Sequence, residues 1–227
     1  MGNSRKTILV VGLGRFGVAL CSTLSELKQR VIAVDKNPDK VKEIAETVDI
    51  SAQLNATEEE ALDKIGAREV DVAVVTIGEN IEASIIASTI LQGYGVPQII
   101  SRAQNHLHAR ILAKVGVHRV IFPEKEMGER VGEQIVHPWL NRFARFTNIG
   151  SLVGEIEPLP EMTGKSLIEQ QFRKTYEVII LLVKKNGQYM LPGPDTVIDR
   201  EDTLLVAGPK ERVERIIHIQ QKNAKES

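Results

Sequence analysis

One short segment constrains this chain more than any other. Val10-Val11-Gly12-Leu13-Gly14-Arg15-Phe16-Gly17 closes an apolar run, Thr7 to Val11, and opens a pattern in which Val18, Leu20, Leu24 and Leu27 recur at helical spacing. Glycines spaced Gly-x-Gly-x-x-Gly between a strand and a helix each answer a different steric demand. Gly12 permits the tight turn, Gly14 lets the backbone approach a diphosphate, and Gly17 lets helix and sheet pack closely. The helix start offers free N–H groups and a positive dipole end to phosphate. Asp35 ends the next strand, 18 residues after Gly17. A carboxylate there accepts hydrogen bonds from ribose hydroxyls and repels a 2′-phosphate, which argues against NADP.

The flanking sequence repeats the alternation. Val31 to Val34, Val72 to Val75 and Gln98 to Ile100 are short Val- and Ile-rich runs, as strands buried on both faces should be. Val41, Ile44 and Ala45, and then Ile81, Ser84, Ile85, Ser88 and Leu91, follow helical spacing. This predicts an α/β fold with a doubly wound, parallel, Rossmann-like sheet. Asn37-Pro38 reads as a helix start, with Asn as N-cap and Pro at the first helical position. Thr57 and Glu60 read as a capping box. Gly93 and Gly95-Val96-Pro97 end the helix that begins near Glu79.

Beyond residue 100 the character changes. Residues 101–150 carry 8 Lys plus Arg against 4 Asp plus Glu, and four of the five His: His106, His108, His118 and His137. Glu124 to Phe146 is predicted as one long helix interrupted at His137-Pro138, with Trp139, Phe143 and Phe146 on one buried face. From Ser151 the pattern becomes a small α+β lobe. Strands are expected at Leu152 to Ile156, Val178 to Val183, Gln188 to Leu191 and Thr203 to Val206, with helices at Ser166 to Lys174 and Lys210 to Ile219. Asn186-Gly187 is a hairpin signal, and Gln220 to Ser227 reads as a frayed tail. The boundary falls near Asn148 to Ser151. The expected organisation is a nucleotide-binding lobe over 1–123, a crossover helix and linker over 124–149, and a C-terminal lobe over 150–227.

Composition excludes several classes. The 227 residues have a net charge of −1, which gives no global case for nucleic acid. One cysteine, Cys21, excludes a disulfide framework or a Cys-rich zinc site and fits a reducing compartment. No stretch reaches the ~18 to 20 apolar residues of a membrane span. The start Met1-Gly2-Asn3-Ser4-Arg5-Lys6 fits neither a signal peptide nor a myristoylation site. The expected protein is soluble and cytoplasmic.

Arg15 is unusual inside a phosphate loop. A guanidinium there forks onto extra anionic oxygens, which favours ATP or ADP over NAD. Thr76-Ile77-Gly78-Glu79-Asn80 follows the Val72 to Val75 strand, fourth if a further strand precedes Asn55, on the same carboxyl edge, where ligands bind. Asn55-Ala56-Thr57, after the third, is a candidate adenine-side loop. Lys36 and Arg102 complete the predicted binding set. The four clustered histidines form no triad and no metal spacing, and no Walker-type phosphate loop is present. Cys21 reads as packed. A dehydrogenase would need an acid/base group and a substrate domain, and the sequence offers no such constellation, so no catalytic residue is expected.

These motifs together resemble the RCK/KTN family, the regulatory subunits of Ktr/Trk-type potassium uptake systems, and within it the KtrA-like branch. The resemblance runs over essentially the whole chain. Its carriers are the glycine segment, Ala33-Val34-Asp35, Thr76 to Ser84, Gly95-Val96-Pro97, Gly116 to Arg130, Gly164-Lys165-Ser166-Leu167 and Leu191-Pro192-Gly193-Pro194-Asp195-Thr196. Pro123-Glu124-Lys125-Glu126-Met127-Gly128 and Pro192 to Thr196 are the most specific. The resemblance implies a cytosolic subunit that is not an enzyme. It implies homodimers assembling into a homo-octameric ring, docked at the inner face of the cell membrane on a KtrB/TrkH-like potassium translocator. ATP/ADP exchange would rearrange the ring and gate the pore. Gly12, Gly14, Arg15, Phe16 and Gly17 would hold phosphates, Asp35 the ribose, and Glu124 a Mg2+ or other divalent cation. Some members bind cyclic di-AMP in the C-terminal lobe; Arg173 and Pro192 match that pattern, while Ile179 replaces a frequent Asn.

Two other classes compete. The glycine fingerprint also suits an NAD(H)-binding Trk-type sensor or an NAD-dependent oxidoreductase, which hydride transfer to a carbonyl compound would reveal. A DNA-binding redox sensor is opposed by the net charge and by the lack of a helix-turn-helix module, and would show salt-sensitive DNA binding.

Overall fold

The computed structural model describes residues 5–146 and 150–226, without the side chains of 145–146 and 224–226. Met1 to Ser4, Asn148 and Ser227 lie outside it, as does the side chain of Phe146. The chain forms two compact units, the first ending at Gly128 and the second starting at Glu129. The first contains β1 (Thr7–Val11), α1 (Arg15–Glu26), β2 (Arg30–Asp35), α2 (Pro38–Ile44), β3 (Ile50–Gln53), α3 (Glu59–Lys64), β4 (Val72–Val75), α4 (Ile81–Gly93), β5 (Gln98–Arg102), α5 (His106–Val115) and β6 (Arg119–Ile121). A further helix, α6 (Pro123–Val136), spans the division.

The six strands are all parallel, in the order β3-β2-β1-β4-β5-β6. Order reverses between β1 and β4, so a crevice must open outside their carboxyl ends. Residues of β1 alternate between two cores. Leu9 and Val11 join Val75, Leu62, Leu91 and Leu112 on one face, and Ile8 and Val10 join Val74, Cys21 and Ile44 on the other. Two-sided burial is why these strands read as continuous apolar runs. Helix starts are set locally: the Asn37 side chain accepts from Asp39 N–H at 2.9 Å with Pro38 behind it, and the Asn80 side chain accepts from Ala83 N–H at 2.9 Å.

The second unit folds around its own core. It comprises β7 (Phe143–Phe146), β8 (Ser151–Ile156), α7 (Phe172–Tyr176), β9 (Ile179–Lys185), β10 (Gln188–Met190), β11 (Thr203–Pro209) and α8 (Lys210–Glu226). Its antiparallel sheet runs β10-β9-β11-β8-β7. Asn186 and Gly187 both take positive φ, 49° and 82°, and turn β9 into β10 as the sequence predicts. Lys185 pairs with Asp199 at 2.6 Å and with the buried Asp202 at 3.0 Å. The hydrogen bond to Asp199 leads in raising the Lys185 ammonium above its ordinary pKa.

Several expectations are corrected. The predicted helix over Glu124 to Phe146 stops at Val136; a 3-10 turn over Pro138–Arg142 follows, and then β7. Trp139 and Phe143 therefore share no helical face. They meet edge to face, with ring centroids 5.3 Å apart, in the second unit's core. The helix expected over Ser166 to Lys174 shrinks to α7, and α8 runs on through the expected frayed tail to Glu226. The capping box at Thr57 does not form: Glu58 occupies the N-cap of α3, and Asn55 instead accepts from Thr57 N–H at 3.2 Å.

Trp139 is the chain's one tryptophan, so its fluorescence reports the second unit. Leu204 is fully buried there, paired with Ile156 and Val183. Leu204→Ala should cost about 2–5 kcal/mol. A urea titration followed by tryptophan emission should show the midpoint fall accordingly.

Candidate functional site

The glycine segment is held by bonds that leave no room for a side chain at Gly12 or Gly17. Gly12 has φ +101°, its N–H donates to the Val34 carbonyl at 2.7 Å, and Thr76 N–H donates to the Val11 carbonyl at 2.8 Å. The buried Thr76 hydroxyl donates to the carbonyls of Val11 and Gly12. A Cβ on Gly17 would lie 2.1 Å from the Gly12 oxygen, so α1 approaches the turn this closely only with glycine there. Gly14 is the N-cap of α1, with no side-chain capping bond, and a Cβ on it would meet nothing within 4 Å. No side chain therefore caps the first turn of α1, as suits an anion-binding helix start.

Asp35 is more than a ribose candidate. Its Oδ2 accepts from Leu13 N–H at 2.6 Å and its Oδ1 from Asn37 N–H at 2.9 Å. Lys40 Nζ stands 3.9 Å from Oδ2. The carboxylate ties the glycine turn to the start of α2.

A cleft of about 310 Å³ lies along the carboxyl ends of the strands, a volume at the lower end of small-molecule pockets. Every residue of the predicted binding set borders it except Gly17, which sits beneath: Gly12, Gly14, Arg15, Phe16, Asp35, Lys36, Asn55, Ala56, Thr57, Thr76, Ile77, Gly78, Glu79 and Arg102 are all on its wall. Arg15 is exposed. The predicted set leaves out Val11, Val34, Lys40, Leu54, Asn80 and Ala83, which also line it. Asn80 carried a readable signal as a helix N-cap; Lys40 carried none, because only the position of α2 brings it beside Asp35.

Glu124 reaches the same cleft but forms no carboxylate cluster. It meets Arg102, with Nη2 2.6 Å from Oε1. Among the described residues, no group of three or more His, Cys, Asp or Glu is placed to hold a metal. In the second unit Arg173 lies exposed on α7, Pro192 half-buried beyond β10, and Ile179 exposed at the start of β9. Gly164-Lys165-Ser166 is no phosphate loop: Leu159 stands where a leading glycine is needed, and Ser166 N–H donates to the Glu169 carboxylate at 2.8 Å.

The histidines do not converge. The His106 ring lies 5.5 Å from that of Phe122, tilted at 49°, His118 Nδ1 accepts from Ile99 N–H at 3.0 Å, and the His137 ring lies 6.0 Å from that of Trp139. His108 is buried at 1% exposure, and its Nδ1 accepts from Gln104 N–H at 3.3 Å. Cys21 is buried too, and burial pushes its thiol up to about 11, so it stays protonated.

Residues 8–123 match the TrkA-N domain and residues 155–221 the TrkA-C domain. The chain is 34% identical over 211 residues to Ktr system potassium uptake protein A of Bacillus subtilis (strain 168), covering 92% of this chain and 95% of that protein. It is 32% identical over 217 residues to the protein of the same name from Vibrio alginolyticus, covering 94% and 97%. The RCK domain of GsuK superposes with a TM-score of 0.57 at 18% identity, covering 96% of this chain and 47% of that one; the GsuK channel bound to NAD gives 0.56 at 19%, covering 94% and 38%. This chain thus spans about half or less of those two solved chains. The chain belongs to the TrkA-N/TrkA-C family, the RCK proteins. Within that family it is KtrA-like. Among the described residues no helix is long and apolar enough to cross a membrane.

Burial lowers the His108 pKa below its ordinary value. The unfolded chain therefore binds a proton first on acidification, and the stability His108 contributes at neutral pH is lost as pH falls from about 6.5 through the folded pKa. Urea unfolding of the first unit, followed by circular dichroism from about pH 7 to about pH 5, should show that fall, and His108→Gln should flatten it.

Proposed function

We propose that this chain is the nucleotide-switched regulatory subunit of a potassium-uptake system and acts by binding rather than by catalysis. The observation that carries this reading is the carboxyl-edge cleft: an unblocked helix N-terminus at Gly14, an exposed arginine at Arg15, and Asp35 at the far end. These residues fit an adenine nucleotide. The N–H groups of α1 and the guanidinium of Arg15 would hold its phosphates, Asp35 its ribose hydroxyls, and Asn55-Ala56-Thr57 its base. The extra charge of Arg15 favours ATP and ADP over NAD. Glu124 would add a carboxylate ligand for Mg2+ held by the phosphates. A solved neighbour is bound to NAD, another to ADP, so an NAD(H) sensor is the second reading.

Names of the Ktr relatives support potassium uptake as the process, and a KtrB/TrkH-like membrane translocator as partner follows from it. Differential affinity of ATP and ADP for two arrangements of the subunits would gate the pore. Assembly of copies into a ring is supported by α6. None of its residues is buried, while Met127, Val131 and Ile135 are 56%, 44% and 74% exposed. Such a stripe calls for a second copy to cover it. Cyclic di-AMP at Arg173 and Pro192 of paired C-terminal lobes is proposed on the family resemblance alone.

Calorimetric titration with ATP, ADP and NADH, with and without Mg2+, beside the solution mass, tests the reading. Tight ATP and ADP binding to a multi-subunit particle is expected; tight NADH binding without ATP preference would reverse the choice of ligand. Arg15→Ala should weaken ATP about 10- to 100-fold, the loss of a charge-assisted contact, and NADH less; equal losses would refute a phosphate-selecting role. Asp35→Asn should weaken every ribose nucleotide by about tenfold or more. It should also lower the melting temperature, because the amide nitrogen is a donor and the one remaining oxygen replaces two separate acceptors for the Leu13 and Asn37 N–H groups. Unchanged affinity would remove the ribose assignment.

A further inference from the structure

Arg102 and Glu124 lie on the cleft wall and hold one another. Arg102 ends β5; Glu124 is the second residue of α6. The guanidinium Nη2 is 2.6 Å from Oε1 and Nε donates to Oε2 at 3.3 Å, so the carboxylate occupies the Nε–Nη2 edge as a fork. The Nη1 side of the guanidinium lies close to Gly78. A Cβ on Gly78 would fall 2.2 Å from Nη1, so the planar group rests against that glycine, in the loop that follows β4. The paired Nε–Nη2 edge, the one shaped for a two-oxygen acceptor, is held by Glu124.

A guanidinium offers phosphate the same paired geometry that it offers carboxylate. We propose that the phosphates of a bound nucleotide and Glu124 compete for Arg102, so that a phosphate-bearing ligand displaces Glu124 and frees the first turn of α6. This rests on the nucleotide reading above and extends it. The Arg102–Glu124 pair becomes one element, beside Arg15 and the start of α1, that distinguishes ATP and ADP from adenosine, and it ties ligand phosphate to the helix that spans the division between the two units. Polar contacts matter at that helix because α6 buries none of its side chains. Competition is feasible because the pair is not locked in the interior: the Glu124 side chain is 63% exposed and that of Arg102 21%. Exposed pairs are weak enough for a ligand to exchange.

A double-mutant cycle tests this. ATP, ADP and adenosine are titrated into the full chain, Glu124→Gln, Arg102→Gln and the double variant, in EDTA so that no divalent cation enters. Glu124→Gln should tighten ATP and ADP about three- to fivefold, the release of one exposed pair, and leave adenosine unchanged. Arg102→Gln should weaken ATP and ADP, and in that background Glu124→Gln should make no difference. Arg102→Lys, which keeps the charge but loses the fork, replaces Arg102→Gln if that variant unfolds. Equal tightening in both backgrounds would mean that Glu124 only repels anions, and overturns the proposal. Unchanged or weakened ATP binding in Glu124→Gln overturns it too. Should the unmodified chain bind none of the three ligands, the nucleotide reading itself fails, and the exchange with it. Binding without coupling removes the exchange alone.

Discussion

The first unit depends on a contact that exists only because a side chain is missing. Helix α1 starts hard against the Gly12 carbonyl, with Gly17 below it and the Thr76 hydroxyl closing the gap. Any Cβ at position 17 would push helix and turn apart by more than an ångström, since ordinary contacts begin above 3.4 Å. That close approach aims the first turn of α1 along the carboxyl edge. Asp35 fixes the other side of the turn by accepting from Leu13 N–H. A local steric fact at the end of β1 thus decides where free N–H donors point, and hence where an anion can be bound.

What was legible in the sequence follows from the same physics. Strands buried on both faces must be apolar throughout, so β1, β2, β4 and β5 showed as runs. β3 (Ile-Ser-Ala-Gln) lies at the edge with no residue fully buried, and β6 has three residues, so neither forms a comparable run. The glycine and aspartate positions were legible because backbone geometry dictates them. Pairings across the fold were not. Arg102 and Glu124 are 22 residues apart, and only β5 running beside β6 brings them together.

The error at β7 has a different origin. Trp139 and Phe143 are four apart, which is a helical spacing, and both are buried or half-buried. Four residues are too few to separate the helical period from the strand period. The helix ends at Val136, before either aromatic, and the two rings meet by edge-to-face packing around the 3-10 turn instead. The second unit's core then organises residues that the sequence reading had assigned to a connecting helix. Its division from the first unit falls inside α6, at Gly128, before any of those aromatics.

The two ends of the cleft solve one problem in opposite ways. At the ribose end a carboxylate, Asp35, is the candidate ligand group and a cation, Lys40, stands 3.9 Å away. At the other end a cation, Arg102, is the candidate ligand group and a carboxylate, Glu124, holds it. Each charged group is thus oriented by an opposite charge before any ligand arrives, which lowers the cost of ordering it on binding. The ends differ in what holds the group besides that partner. Asp35 is held by two backbone N–H groups and its side chain is only 10% exposed. Arg102 shares its forked edge with an exposed residue of a helix that buries nothing. The β2 end of the cleft is thus held by backbone N–H groups, and the β5 end by an exposed ion pair.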